Sequence, residues 1–159
     1  HDKWSRYEAE EKAVAIFYAS MYGNTAEAAE ILASMRAEAG VKNTAVYDVS
    51  RTNVSYLISE IFRCSNLVLA APTYNNGLYP AMLNLLEDVK ALNLQNRKVS
   101  IIENGSWAPQ AGKIMREKLS VLKGMEIMEK SVTLKSSLKE EQKEELRQMC
   151  AEIAESLKQ

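Results

Sequence analysis

The sequence predicts an α/β fold in which helices cover both faces of a parallel sheet. Strand-like and helix-like segments alternate along the whole chain. The strand segments are near-continuous apolar runs, the signature of strands buried on both faces. At 159 residues with 47% hydrophobic content, the chain is long enough for one domain with a sizeable core.

The elements follow in order. Residues 1–11 are charged and aperiodic, so they read as an arm or linker. Ala13-Val14-Ala15-Ile16-Phe17-Tyr18 is the first buried strand. A helix is expected from 24 to 39, with Ala28, Leu32 and Met35 on one side and Gly40 as its C-cap. Thr44-Ala45-Val46-Tyr47 is the second strand. Val54, Leu57, Ile58, Ile61 and Phe62 carry the spacing of an amphipathic helix. Leu67-Val68-Leu69-Ala70-Ala71 is the third strand. Pro80 opens the next helix at its favoured first position, with Met82, Leu85, Leu86 and Val89 on one face. Val99-Ser100-Ile101-Ile102 is the fourth strand. Residues 110–122 form a helix carrying Ile114, Met115, Leu119 and Leu122, and a weak fifth strand falls within 125–133. Ser137 and Glu140 fit a capping box for a last helix that turns Leu146, Met149, Cys150, Ile153 and Leu157 inward.

Composition removes several function classes. Twenty basic against twenty-one acidic residues give a formal charge of −1, which provides no footprint for nucleic acid or an anionic membrane. No apolar run reaches the ~20 residues of a membrane span. The charged start does not read as a signal peptide, and a start at His1 points to a processed or excised fragment. His1 is the only histidine. With it, Cys64 and Cys150 are too few for a zinc or iron site, and both sit in apolar, helix-like patterns that read as core positions. Two unpaired cysteines fit a reduced, cytoplasmic setting.

Ligands of doubly wound sheets bind outside the carboxyl ends of the strands, at a switch point in strand order. Three loops leave such ends. The first, Ser20-Met21-Tyr22-Gly23-Asn24-Thr25, runs straight into a helix. Its side-chain donors, the unpaired N–H groups of the helix start and a close backbone approach at Gly23 suit a phosphate without any Lys or Arg. Asn24 or Thr25 also suits plain helix capping. The second, Pro72-Thr73-Tyr74-Asn75-Asn76-Gly77, contains a turn that tolerates positive φ and presents flat aromatic surface, as does Tyr79 just beyond it. The third, Asn104-Gly105-Ser106-Trp107-Ala108, places a Trp where it can stack on a planar ring or pack on its own loop. Each also suits an ordinary strand-to-helix connection, but together they describe a phosphate cradle and two walls for a flat ring. The sequence has no GxxxxGK[ST] or GxGxxG motif and no acidic cluster at the strand ends, which argues against a nucleoside triphosphatase, a dinucleotide site and a response-regulator receiver.

The Ser20–Thr25 loop resembles the phosphate loop of flavodoxins, and the 72–77 and 104–108 segments sit where that family places its two isoalloxazine loops. The resemblance covers residues 12–157. It implies a flavodoxin-like five-stranded parallel sheet of order 2-1-3-4-5, one bound FMN with all seventeen residues of the three loops as its ligands, and electron transfer through that flavin. A narrower resemblance, in the Ser-Met-Tyr-Gly-Asn-Thr and Pro-Thr-Tyr-Asn-Asn-Gly-Leu-Tyr-Pro wording, is to the carboxyl-terminal domain of flavodiiron proteins. Trp4-Ser5-Arg6-Tyr7 is similar to the linker of those proteins. That likeness implies an excised electron-transfer domain of an oxygen or nitric oxide reductase. Its partners would be an adjacent di-iron domain or separate redox proteins, with a homodimer formed through the parent protein. It leaves the chain without a complete catalytic site or metal ligands of its own. A free-standing short flavodoxin and an FMN-dependent NAD(P)H:quinone or flavin reductase are the alternatives.

Overall fold

The computed structural model describes residues 9, 11–20, 23–38, 44–74, 77–105, 110–135 and 139–158. In chain order the elements are β1 (Glu11–Tyr18), α1 (Asn24–Glu38), β2 (Thr44–Asp48), α2 (Val54–Arg63), β3 (Cys64–Tyr74), β4 (Gly77–Leu78), α3 (Pro80–Ala91), β5 (Lys98–Asn104), α4 (Ala111–Ser120), β6 (Glu126–Ile127), β7 (Val132–Leu134) and α5 (Glu140–Leu157).

The sheet runs β2-β1-β3-β5-β6, with β7 also on β5. Every pairing is parallel except the two-residue β3–β4 ribbon. The expected 2-1-3-4-5 order is therefore present, with two differences. The fifth strand is split, β6 pairing with Lys98 and Val99 and β7 with Ile102 to Asn104. The short β4 is an addition that the sequence reading lacked.

Successive strand residues point to opposite faces, so a continuous apolar run feeds two cores at once. Ala13, Ala15, Phe17, Leu67, Leu69, Val99 and Ile101 pack beneath α2, α3 and α4 against Leu57, Ile61, Met82, Leu85, Met115 and Leu119. Val14, Ile16, Val68, Ala70 and Ile102 pack on the other face against Ala28 and Leu32 of α1 and Leu146, Met149 and Ile153 of α5.

Three local expectations are corrected. Val54, at the solvent-side start of α2, is 48% exposed, so the inward stripe is Leu57, Ile61 and Phe62. Cys64 is the first residue of β3 rather than part of a helix, although it is buried as expected. The cap of α5 is Lys139, whose backbone N–H donates to Gln142 Oε1 at 3.1 Å, so Glu140 is the first helical residue and not the reach-back partner of Ser137. Ser137 and Gly40 lie outside the described residues, and the first strand begins at Glu11, one residue inside the predicted arm.

No loop separates α2 from β3, and the last carbonyls of a helix have no partner within it. Arg97 supplies one. Fully buried just before β5, it donates to the carbonyls of Ile61 (3.3 Å), Phe62 (3.0 Å) and Gln95 (2.6 Å), and its guanidinium lies 5.8 Å over the Phe62 ring. Replacing Arg97 with Met keeps most of the volume but strands these carbonyls. The expected loss is about 2–4 kcal/mol in urea unfolding.

Burial pushes the Cys64 thiol from its ordinary 9.0 up to about 11, against the smaller pull of Arg63. A raised folded-state pKa means the contribution is intact below the unfolded value and is lost as pH rises through the folded one. Tyr18 and Tyr47 are raised above their ordinary 10.0, first by burial, and add their own losses higher up. The Cys150 thiol is raised by burial as well. Stability is therefore expected to fall from about pH 9 toward 11, and Cys64→Ala to make that fall shallower while leaving the Cys150 and tyrosine share. Unfolding midpoints of both proteins across that range check it.

Candidate functional site

β1, β3 and β5 are adjacent at the centre of the sheet. The chain moves outward from β1 to β2 and returns to the other side for β3, so the strand order reverses between β1 and β3. The carboxyl ends of these strands form one edge, and all three predicted loops leave from it.

At the end of β1, Ala19 N–H still reaches Ala70 O at 2.9 Å, which holds the loop's entry against β3. Ser20 Oγ then accepts the Gly23 N–H at 2.8 Å. Gly23 has φ +89°, the left-handed region that favours glycine, and its carbonyl accepts the Glu27 N–H at 2.9 Å as α1 starts. The conformation is thus the first demand on Gly23. A side-chain carbon there would meet none of the described residues within 4 Å. Thr25 is 1% exposed. The first-turn N–H groups of α1 have no partner within the helix. This corner therefore combines a Ser hydroxyl, a buried Thr hydroxyl and a helix N-terminus, which is the donor chemistry that a phosphate monoester accepts. Met21, Tyr22 and the Asn24 side chain lie outside the described residues.

The second loop is a tight hairpin. Thr73 pairs with Leu78 and Tyr74 with Gly77, and Tyr79 N–H reaches Pro72 O at 3.3 Å. Tyr74 is 40% exposed and meets Tyr79 edge-on, ring centres 5.9 Å apart. Asn75 and Asn76, the turn itself, lie outside the described residues. Gly77 sits in β4, and a side-chain carbon there would meet Tyr74 O at an ordinary 3.5 Å.

The third loop begins later than expected, because Glu103 and Asn104 belong to β5, paired with Ala71 and Pro72. Gly105 N–H reaches Leu134 O at 3.0 Å. Ser106, Trp107 and Ala108 lie outside the described residues. Glu103 escaped the sequence reading: its carboxylate accepts the Gly112 N–H at 3.2 Å and sits within 3.5 Å of Thr133 Oγ1. A carboxylate thus lies at the base of the ring loops, where the loop segments themselves contain no charge. The positions the structure brings together are Ser20, Gly23 and Thr25 at one corner and Pro72, Thr73, Tyr74, Asn104 and Gly105 beside it.

A cleft of about 710 Å³ opens on the outer side of Tyr74, between α2 and α3, lined by Ser50, Val54, Leu57, Tyr79 and Leu85 among others. It touches neither the phosphate corner nor Asn104 and Gly105, so it adjoins the ring loops without being part of the cradle. Among the described residues, no group of three or more His, Cys, Asp or Glu side chains is placed to hold a metal ion, and no helix is long and apolar enough to cross a membrane.

Comparison with known proteins gives this geometry a lineage. The flavodoxin family model matches residues 16–149. The rubredoxin-oxygen oxidoreductase of Megalodesulfovibrio gigas is 28% identical over 145 residues, which is 91% of this chain and 36% of that protein. The solved rubredoxin oxygen:oxidoreductase from Desulfovibrio gigas superposes with a TM-score of 0.88 at 26% identity, covering 99% of this chain and 39% of the other. The flavodiiron protein from Giardia intestinalis gives 0.87 at 22% identity over 98% and 38% of the two chains, a likeness of fold. The chain spans little more than a third of the length of these relatives. Because the family match runs from β1 into α5, through all three central strands and the loops that leave them, the chain belongs to the flavodoxin family, as an FMN-binding domain related to the flavodiiron proteins.

Proposed function

We propose that this domain carries electrons through FMN to an adjacent di-iron domain in an oxygen- or nitric oxide-reducing flavodiiron protein. The observation that carries the reading is one of proportion. A relative named for oxygen reduction aligns along 91% of this chain, yet the chain accounts for only 36% of that relative. Residues 12–159 are then the flavin domain and residues 1–11 the linker. The near-neutral charge supports tethering, since a free carrier gains from a strongly charged steering face and a tethered one relies on effective concentration. Assembly as a homodimer through the parent protein and a cytoplasmic location belong to the same reading; the free, buried thiols of Cys64 and Cys150 fit the latter.

When bound, FMN supplies an electron relay that accepts and releases one or two electrons. The chain's own residues do the rest. Ser20 and Thr25, with the first-turn N–H groups of α1, hold the phosphate. The Pro72-Thr73-Tyr74 strand end and the Asn104-Gly105 strand end flank the ring, with Asn75, Asn76, Gly77, Ser106, Trp107 and Ala108 completing its walls. Tyr74 limits water on the exposed side.

Three measurements test this. The protein is expected to purify yellow with one FMN per chain and to bind FMN far more tightly than riboflavin; equal affinities would remove the phosphate corner from the site. Thr25→Val is expected to leave folding intact and weaken FMN binding by about 1.5–3 kcal/mol, the cost of a lost hydrogen bond to a charged group, read by calorimetric titration. For the electron path, reduced domain is rapidly mixed with oxygen or nitric oxide, alone and joined to a di-iron domain. Faster flavin reoxidation only in the joined form supports the tethered relay, and equal rates point to a free-standing flavodoxin.

A further inference from the structure

The segment between β5 and α4 is held at its far end by side chains that belong to the strands. Gln110 caps α4 but makes no side-chain cap bond of its own. The orphan N–H groups of this helix start are instead taken by two neighbours. Thr73 Oγ1 accepts from Gln110 N at 2.9 Å and from Ala111 N at 3.2 Å, and Glu103 Oε1 accepts from Gly112 N at 3.2 Å. The fit at Gly112 is close: a side-chain carbon there would fall 2.3 Å from Glu103 Oε2. Thr73 stands on the end of β3, in register with Leu78 of β4, while Glu103 stands on β5 opposite Ala71. The hydroxyl of one ring loop is therefore the cap of the helix that ends the other.

We infer that Thr73 is a positioning residue that joins the two ring loops into a single unit, with Glu103 bracing the same helix start from β5. The inference rests on the FMN reading above and deepens it. A strand-end hydroxyl that accepts two N–H groups has used its acceptor capacity on the neighbouring loop. Those two bonds set the separation of the ring's walls, and the O–H donor is left for a further partner. Gly105 N–H is tied to Leu134 O, and Gln110 N–H to Thr73 Oγ1. Removing the Thr73 acceptor frees one anchor and leaves the phosphate corner at the end of β1 untouched.

The test compares wild type with Thr73→Val, which keeps the shape but removes the acceptor, and Thr73→Ser, which keeps the acceptor. Amide exchange in the flavin-free chain reads the tie directly: Gln110 and Ala111 are expected to exchange about tenfold faster in Thr73→Val and as wild type in Thr73→Ser. Binding reads its purpose. FMN and riboflavin are expected to weaken by the same factor, about tenfold, in Thr73→Val, with a shifted absorption spectrum and reduction potential of the bound flavin. Inorganic phosphate binding stays unchanged, and Thr73→Ser restores every value. Unchanged amide exchange, loss of FMN but not riboflavin affinity, or equal loss for all three ligands would each overturn the inference. A wild-type chain that takes up no flavin defeats the FMN reading instead, and the exchange measurement still decides the tie, upheld by faster exchange and overturned by none.

Discussion

The structure depends on β3 being paired in parallel on both sides, with β1 along Val14–Tyr18 and with β5 along Lys98–Asn104. A strand in that position has no free edge and no wet face, so its side chains must be apolar on both sides. Leu67, Val68, Leu69, Ala70 and Ala71 are all buried. The parallel register also places three chain exits at one edge. Parallel strands cannot be joined by tight turns, so each exit must leave into a helix on one face or the other. The functional corner is a consequence: three loops and two helix starts are gathered there by backbone pairing before any side chain takes part.

That is also why so much was legible in the sequence. The Ala13–Tyr18 run reads as a doubly buried strand because no polar alternation breaks it, and in the fold its residues divide between two cores. Pro80 marked its helix start because a proline costs nothing where the N–H would have no partner anyway. The misses have a common cause, which is that they turn on partners distant in sequence. Cys64 has helix-like neighbours and becomes a strand only because Glu11 and Asn66 find pairing partners. Arg97 stands in a polar stretch between α3 and β5, and the abrupt junction of α2 with β3 creates the carbonyls that draw it inside. The fifth strand is weak in sequence and split in space.

The site shows the same division. The Ser20–Thr25 corner was readable because its logic is local: a Ser that holds a turn, a glycine at positive φ and a helix start within six residues. Gly77 stands in β4, paired with Tyr74, a placement that depends on the antiparallel register of β3 with β4 rather than on the local Asn-Asn-Gly wording. Thr73 and Glu103 were invisible as supports, since their roles need the register of β3 against β5. The corner contains no Lys or Arg and relies on oriented N–H groups and hydroxyls, so anion binding there is governed by backbone placement more than by charge.

The central claim is that the ligand occupies the carboxyl edge of β1, β3 and β5. The most direct measurement is amide chemical-shift mapping by NMR as FMN is titrated into the flavin-free chain. The account predicts perturbations concentrated at Ser20, Gly23 to Ala26, Pro72 to Tyr74 and Asn104 to Gly105. Shifts centred instead on the cleft beside Val54 and Asn84, or on the opposite edge around Arg97 and Glu126, would contradict it.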